Sequence, residues 1–98
     1  MEVEFKDGKL EKVESDEKYD GGHGEAVANG FRRRMQQIRA ANDERDFYAL
    51  KSMRFEKLQG DRQHQRSIRI NDQWRLVIEL HGDAPNKKVL VVAIEDYH

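Results

Sequence analysis

The sequence predicts an α+β fold in which N-terminal helices pack on an antiparallel sheet. Two features of the hydrophobic pattern predict it. In the first half Val27, Phe31, Met35 and Ile38 recur at spacings of four, four and three, which marks one face of a helix. After Lys51 the period switches to two, in Ser67-Ile68-Arg69-Ile70 and in Trp74 to Leu80, as in half-buried strands. Helices first and a run of antiparallel strands afterwards is the α+β order. A third observation is size. With 98 residues, 37% hydrophobic and 38% charged, the chain reads as a single domain spanning residues 1–98. Such a domain can cover one sheet with helices but cannot enclose a large cavity, so any active site is a shallow cleft.

Each element follows in order. Glu2-Val3-Glu4-Phe5 alternates polar and apolar like a short edge strand, and an acidic helix or loop runs on to Tyr19. Asp20-Gly21-Gly22-His23-Gly24 is a turn or flexible loop, because three glycines in four residues cannot sustain a helix. The clearest helix starts at Glu25, and its polar face carries Arg32, Arg33, Gln36, Gln37 and Arg39. Asn42-Asp43-Glu44 then supplies a cap and an acidic first turn for a shorter helix through Leu50. Arg54 to Leu58 reads as a short strand and Gly60 to Arg66 as a loop. Asn71-Asp72-Gln73 is the turn of a β-hairpin. Setting Ile70 opposite Trp74 brings Ile68 opposite Leu76 and Arg69 opposite Arg75, so apolar pairs share one face and both arginines the other. Trp74 belongs to the core in this register. His81 to Asn86 forms a second turn, and Val89 to Ile94 is expected to be a strand buried on both faces.

Composition excludes several function classes. The absence of cysteine rules out disulfide frameworks, thiolate zinc sites and cysteine nucleophiles. Four histidines, at 23, 64, 81 and 98, lack the close spacing of a metal pair. The longest apolar run is the six residues Val89 to Ile94, against the roughly 20 that a membrane helix needs. No membrane association is expected, Met1 to Asp7 does not look like a leader, and the expected location is cytoplasmic. Net charge is −1 but unevenly placed: residues 1–25 carry nine acids and four bases, whereas residues 32–75 carry twelve bases and six acids. The basic stretch could face a phosphate backbone.

Arg69 and Arg75 are the first candidates, since like charges directly opposite in a sheet destabilise it unless an anion lies between them. Either Glu56, Glu79 or Asp96 neutralises them, or they clamp a phosphate, for which the planar guanidinium is suited. Arg32-Arg33-Arg34 is either a solvated helix face or a partner surface. His98 either frays or is held beside the sheet with Asp96 and Tyr97, where an imidazole next to a phenol and an acid suits acid–base chemistry. Glu56, taken alone, is a surface acid. The loop residues Arg62 and Arg66 either contact a nucleic-acid backbone or solvate a turn.

The strings Lys57-Leu58-Gln59-Gly60-Asp61-Arg62, Gln65-Arg66-Ser67-Ile68-Arg69-Ile70-Asn71-Asp72-Gln73-Trp74-Arg75 and the terminal Glu95-Asp96-Tyr97-His98 resemble the HigB branch of the RelE-like toxins, the plasmid maintenance system killer proteins. The resemblance is specific over residues 50–98 and rests on helical character before that. It implies a RelE-like microbial ribonuclease fold, and ribosome-dependent cleavage of messenger RNA without metal or other cofactor. It also implies a HigA-type helix-turn-helix antitoxin as partner. Carried over by position, Arg75 matches the phosphate-binding arginine, and Asp96, Tyr97 and His98 match the terminal catalytic trio. Lys57, Gln59, Arg62, Arg66 and Arg69 fall in the RNA-contacting stretch. The chain departs from the pattern at Glu56, where many relatives have histidine and the YoeB branch has glutamate, and at Gln59, where many have lysine. Lys57 is the neighbouring candidate for that missing cation.

From these residue types the expected mechanism follows. Glu56 takes the proton of the ribose 2′-OH, Arg75 with Arg69 stabilises the phosphorane, and His98 protonates the leaving 5′-oxygen. A carboxylate and an imidazole ordinarily titrate near 4.3 and 6.5, so one is deprotonated while the other keeps part of its protons at about neutral pH. Two alternatives stand beside this reading: a catalytically weakened module that binds RNA or protein, and a ribonuclease that needs no ribosome.

Overall fold

Asp7 begins the first helix by accepting the Lys9 amide on its carboxylate at 2.8 Å. From that point the computed structural model, which describes residues 1–83 and 86–97, follows the expected order closely. It runs β1 (Glu2–Phe5), α1 (Gly8–Ser15), α2 (Glu25–Ala40), α3 (Arg45–Ala49), β2 (Glu56–Lys57), β3 (Gln65–Arg69), β4 (Trp74–His81) and β5 (Lys88–Asp96). Single 3-10 turns at Lys51–Met53 and Gly60–Arg62 flank β2. Among the described residues no helix is long and apolar enough to cross a membrane.

The helical stripe forms as its spacing predicts. Val27, Phe31, Met35 and Ile38 of α2 are all buried, and they join Leu10 and Val13 of α1 and Ile68, Leu76, Ile78, Val89 and Val91 of the sheet in one core. Gly30 allows α2 to come this close, since a Cβ there would stand 2.8 Å from Ile70 Cγ2. Arg32 ties α1 to α2 through main-chain carbonyls, donating to Val13 O (2.8 Å), Asp16 O (3.0 Å) and Tyr19 O (2.8 Å). Arg34 points the other way and is buried, donating to Arg69 O and Ser52 O, both at 2.8 Å, and to Gln37 Oε1 at 2.9 Å. The arginine run is therefore no uniform partner surface: two of its three side chains hold the fold, and Arg33 alone of the three is exposed.

The five described strands lie in the order β1-β5-β4-β3-β2. Strands β2 to β5 are antiparallel neighbours, and the hairpin register is the expected one, with Ile68 opposite Leu76 and Arg69 opposite Arg75. Trp74 is half-buried and packs against the core. Two expectations need correction. The sheet is not purely antiparallel, because β1 pairs parallel with β5, Glu2 opposite Lys88 through Phe5 opposite Val91; the whole intervening chain serves as the long crossover that a parallel pair requires. Nor is β5 buried on both faces. Val89 and Val91 are buried, while Leu90, Val92, Ala93 and Ile94 are half-buried. The helices cover one face of the sheet, and the other carries a polar network.

A bulge in β5 shapes that second face. Ile78 pairs with Val91 and Val77 with Ala93, which leaves Val92 as an extra residue. Beyond it the register shifts by one, so that Arg75 lies opposite Glu95 and Leu76 opposite Ile94.

Candidate functional site

The helix-free face of the sheet is built from two cross-strand rows. One is Arg69, Arg75 and Glu95 on β3, β4 and β5; the next is Glu56, Ser67, Val77 and Ala93 on β2 to β5. Residues directly paired share a face, so Glu56 and Arg75 open onto the same side. They lie two strands and two residues apart, or about 12 Å between Cα atoms at ordinary strand spacing. A ribose and its phosphate fit a gap of that size.

Arg75 sits at the centre of a charged chain. Its Nη2 donates to Glu95 Oε1 at 3.4 Å, its guanidinium carbon lies 5.6 Å from the Tyr97 ring centroid, and its buried Nε–H has no partner among the described residues. Glu95 is held mainly by Arg62, whose two terminal nitrogens reach its oxygens at 3.0 and 2.7 Å. Arg62 also donates to Gln65 Oε1 at 2.9 Å, so its side chain crosses over β4 to reach β5. Gln65 Nε2 donates in turn to Glu79 Oε2 at 3.1 Å, and His81 and His64 approach the same carboxylate at 2.9 and 3.7 Å. The Arg62 hydrogen bond holds the Glu95 carboxyl below the usual range, against a partial burial that would raise it. The Gln65 hydrogen bond does the same for Glu79, helped by His81.

The expected neutralisers of the arginine pair were Glu56, Glu79 and Asp96. Instead Asp72, in the hairpin turn, pairs with Arg69, and Glu95 pairs with Arg75. The other candidate residues divide. Tyr97 joins Arg75, fixed by its amide donating to Gln73 O at 2.8 Å. Asp96 lies opposite Trp74, on the helix side of the strand end, and accepts from Gln73 Nε2 at 3.1 Å. His98 lies outside the described residues. Lys57 pairs with Arg66 and, by strand alternation, turns to the side away from Glu56, so it does not replace a cation beside that carboxylate. Gln59 is exposed and lines a shallow cleft of about 450 Å³ with Lys57, Leu58, Gly60 and Gln63. Arg66 donates to the carbonyls of Gln63 and Gln65.

Glu95 is the residue that sequence reasoning missed. The signal that could have found it is cross-strand pairing with Arg75, but a straight count back from His81 opposite Lys88 puts Ile94 there; the bulge supplies the difference.

Comparison with known proteins bears on what this face belongs to. The HigB-like toxin family, described as the RelE-like toxin of the type II toxin-antitoxin system HigB, matches residues 3–98. The chain is 34% identical over 79 residues to Toxin HigB-1 of Vibrio cholerae serotype O1, covering 81% of this chain and 83% of that protein. A solved structure, the YoeB/ParE toxin from Agrobacterium tumefaciens, superposes with a TM-score of 0.60 at 15% identity over the whole of both chains, which shows a shared fold. The helix-covered, mixed sheet with its arginine-bearing open face is thus a RelE-like fold, and the chain belongs to the HigB-like family of type II toxin–antitoxin toxins.

Proposed function

We propose that this toxin is an endoribonuclease that cuts messenger RNA on the ribosome, on the helix-free face of its sheet, by acid–base chemistry without metal. The observation that carries the reading is Arg75: a guanidinium with one long ion pair and a buried Nε–H that has no partner among the described residues, flanked by Arg69 and the ring of Tyr97, on the face that also bears Glu56. A guanidinium held by a single ion pair of 3.4 Å keeps donors for a dianionic phosphorane, which attracts them more strongly than a ground-state phosphodiester.

In this mechanism Glu56 accepts the 2′-OH proton, and the oxygen attacks the adjacent phosphorus. Arg75 and Arg69 bind the non-bridging oxygens as charge builds, and His98 gives its proton to the departing 5′-oxygen. The products are a 2′,3′-cyclic phosphate and a 5′-hydroxyl. Tyr97, beside Arg75, packs against the nucleotide in this reading, and Asp96 supports the chain terminus. Lys57 and Gln59, which share a shallow cleft, contact the RNA backbone away from the reacting phosphate, with Arg66 paired beside Lys57, while Arg62 acts through its hold on Glu95. An open face without walls supplies little orientation of its own, which favours a reaction in which the ribosome holds the message. A HigA-type helix-turn-helix antitoxin is the proposed partner that silences the toxin, and the cytoplasm, where ribosomes translate, the proposed location.

The test is cleavage of a translated message by purified protein, with and without bacterial ribosomes, for the wild type, Glu56→Gln and His98→Ala. Cuts that need ribosomes and vanish in both variants are expected. Equal cutting of naked RNA would assign a free-standing ribonuclease, and protection without cutting would assign a binding module, which the Gln59 departure would then explain.

A further inference from the structure

We propose that Glu95 guards the phosphate position beside Arg75 in the free protein, and that it is a positioning residue whose long contact to Arg75 RNA must break. The inference rests on the cleavage-face reading above. Three observations support it. First, the carboxylate is anchored on one arginine and leans on the other: Arg62 grips both oxygens at 2.7 and 3.0 Å, whereas Arg75 reaches one at 3.4 Å. Second, the contact leaves Arg75 under-used, with its Nε–H buried and without a partner among the described residues. Third, the placement is built by the backbone. Without the extra residue Val92, Ile94 would stand opposite Arg75, and the bulge replaces it with an acid.

These facts separate the two arginines. When a phosphate arrives, Arg75 gives up only its one long ion pair, because Glu95 keeps both of its bonds to Arg62. It must nevertheless approach a fixed negative charge, which opposes loosely held anions more than a phosphate presented in register. Glu95 remains ionised at neutral pH, since its hydrogen bond from Arg62 lowers its carboxyl range. The consequence is weak affinity for RNA that is not already positioned, and so a built-in preference for RNA held by another body.

The experiment measures binding of a short single-stranded 2′-O-methyl RNA, which cannot be cut, to the wild type, Glu95→Gln and Glu95→Asp across a salt series. Removing the charge while keeping the shape should tighten binding about five- to tenfold at low salt. It should also steepen the slope of log K against log salt by roughly 0.7 for each further phosphate engaged. Glu95→Asp should stay near wild type. A purely structural role would lower the urea midpoint without moving the salt slope. In the wild type alone, inorganic phosphate should shift the Arg75 Nε–H proton resonance and leave that of Arg62, which stays on Gln65. Wild-type RNA binding with no gain in Glu95→Gln and no phosphate response at Arg75 would overturn the inference and leave the cleavage reading standing. RNA binding by neither protein would likewise overturn the inference, since the gain in Glu95→Gln would be missing, whereas failure of the cleavage reading shows separately, as the absence of cuts on programmed ribosomes.

Discussion

Arg32, Arg33 and Arg34 are consecutive and chemically identical, yet replacing the last two by methionine should have very different effects. Arg34 is 7% exposed and donates three hydrogen bonds of 2.8 to 2.9 Å, two of them to the main-chain carbonyls of Arg69 and Ser52. Methionine keeps much of the volume and the helix propensity but leaves those carbonyls without a donor. Hydrogen bonds from a charged donor contribute about 1.5–3 kcal/mol each. Part of that is offset, because burial, together with Arg69 and Arg33, already works against the charge and pulls the Arg34 guanidinium below its ordinary range. A net loss of about 2–4 kcal/mol follows for Arg34→Met. With a urea slope of about 1.5 kcal/mol per molar, the unfolding midpoint should fall by roughly 1.3–2.7 M. Arg33 is exposed and makes no hydrogen bond or ion pair among the described residues, so Arg33→Met should stay within about 0.5 kcal/mol of wild type. Equal midpoints for the two variants, by equilibrium urea unfolding followed by Trp74 fluorescence, would refute the reasoning. Because Arg69 lies in the arginine row and Ser52 just precedes β2, Arg34→Met should also slow cleavage at temperatures where it remains folded.

Two further outcomes are expected. Gly21 has φ of 66° and a Cβ there would stand 2.9 Å from Val13 Cγ2, whereas Gly22, at φ of 88°, faces open space; thermal melts should show Gly21→Ala losing about 2–3 kcal/mol and Gly22→Ala about 1–2. Glu79 and Glu95 both have folded values below the ordinary 4.5, so the unfolded chain takes up their protons first as pH falls. The stability they contribute is complete above about pH 5 and declines as pH drops through the folded values. Urea midpoints should therefore be level near neutrality and fall below pH 4.5, less steeply in Glu79→Gln; a level midpoint down to pH 3 would contradict this.

Much of the fold is legible in the sequence where one physical constraint has one solution. The hairpin register is the clearest example: a three-residue turn and a period of two leave a single pairing that puts Ile68 with Leu76 on the core side, and the structure has it. The α2 stripe is legible for the same reason. What escapes is whatever depends on partners far along the chain. A parallel β1–β5 pair joins the first and last strands, and no local pattern specifies it. The bulge at Val92 sits in a uniformly apolar run, where one extra residue changes nothing in the pattern yet re-aims Glu95 onto Arg75. Local reading likewise gives Arg32, Arg33 and Arg34 one character, although two of them are pinned to carbonyls of distant segments. At the site, Arg75 and Tyr97 stand out by resemblance and are brought together, while alternation carries Asp96 and Lys57 to the opposite side from Arg75 and Glu56.

The most direct test of the central claim is the single-turnover rate of message cleavage on programmed ribosomes for the wild type and Arg75→Ala, with ribosome binding measured in parallel. If Arg75 stabilises the phosphorane on the helix-free face, the rate should fall by about 10²–10³, the usual effect of losing one such donor, with ribosome affinity changed only a few-fold. Cleavage at the wild-type rate by folded, ribosome-bound Arg75→Ala would contradict the account.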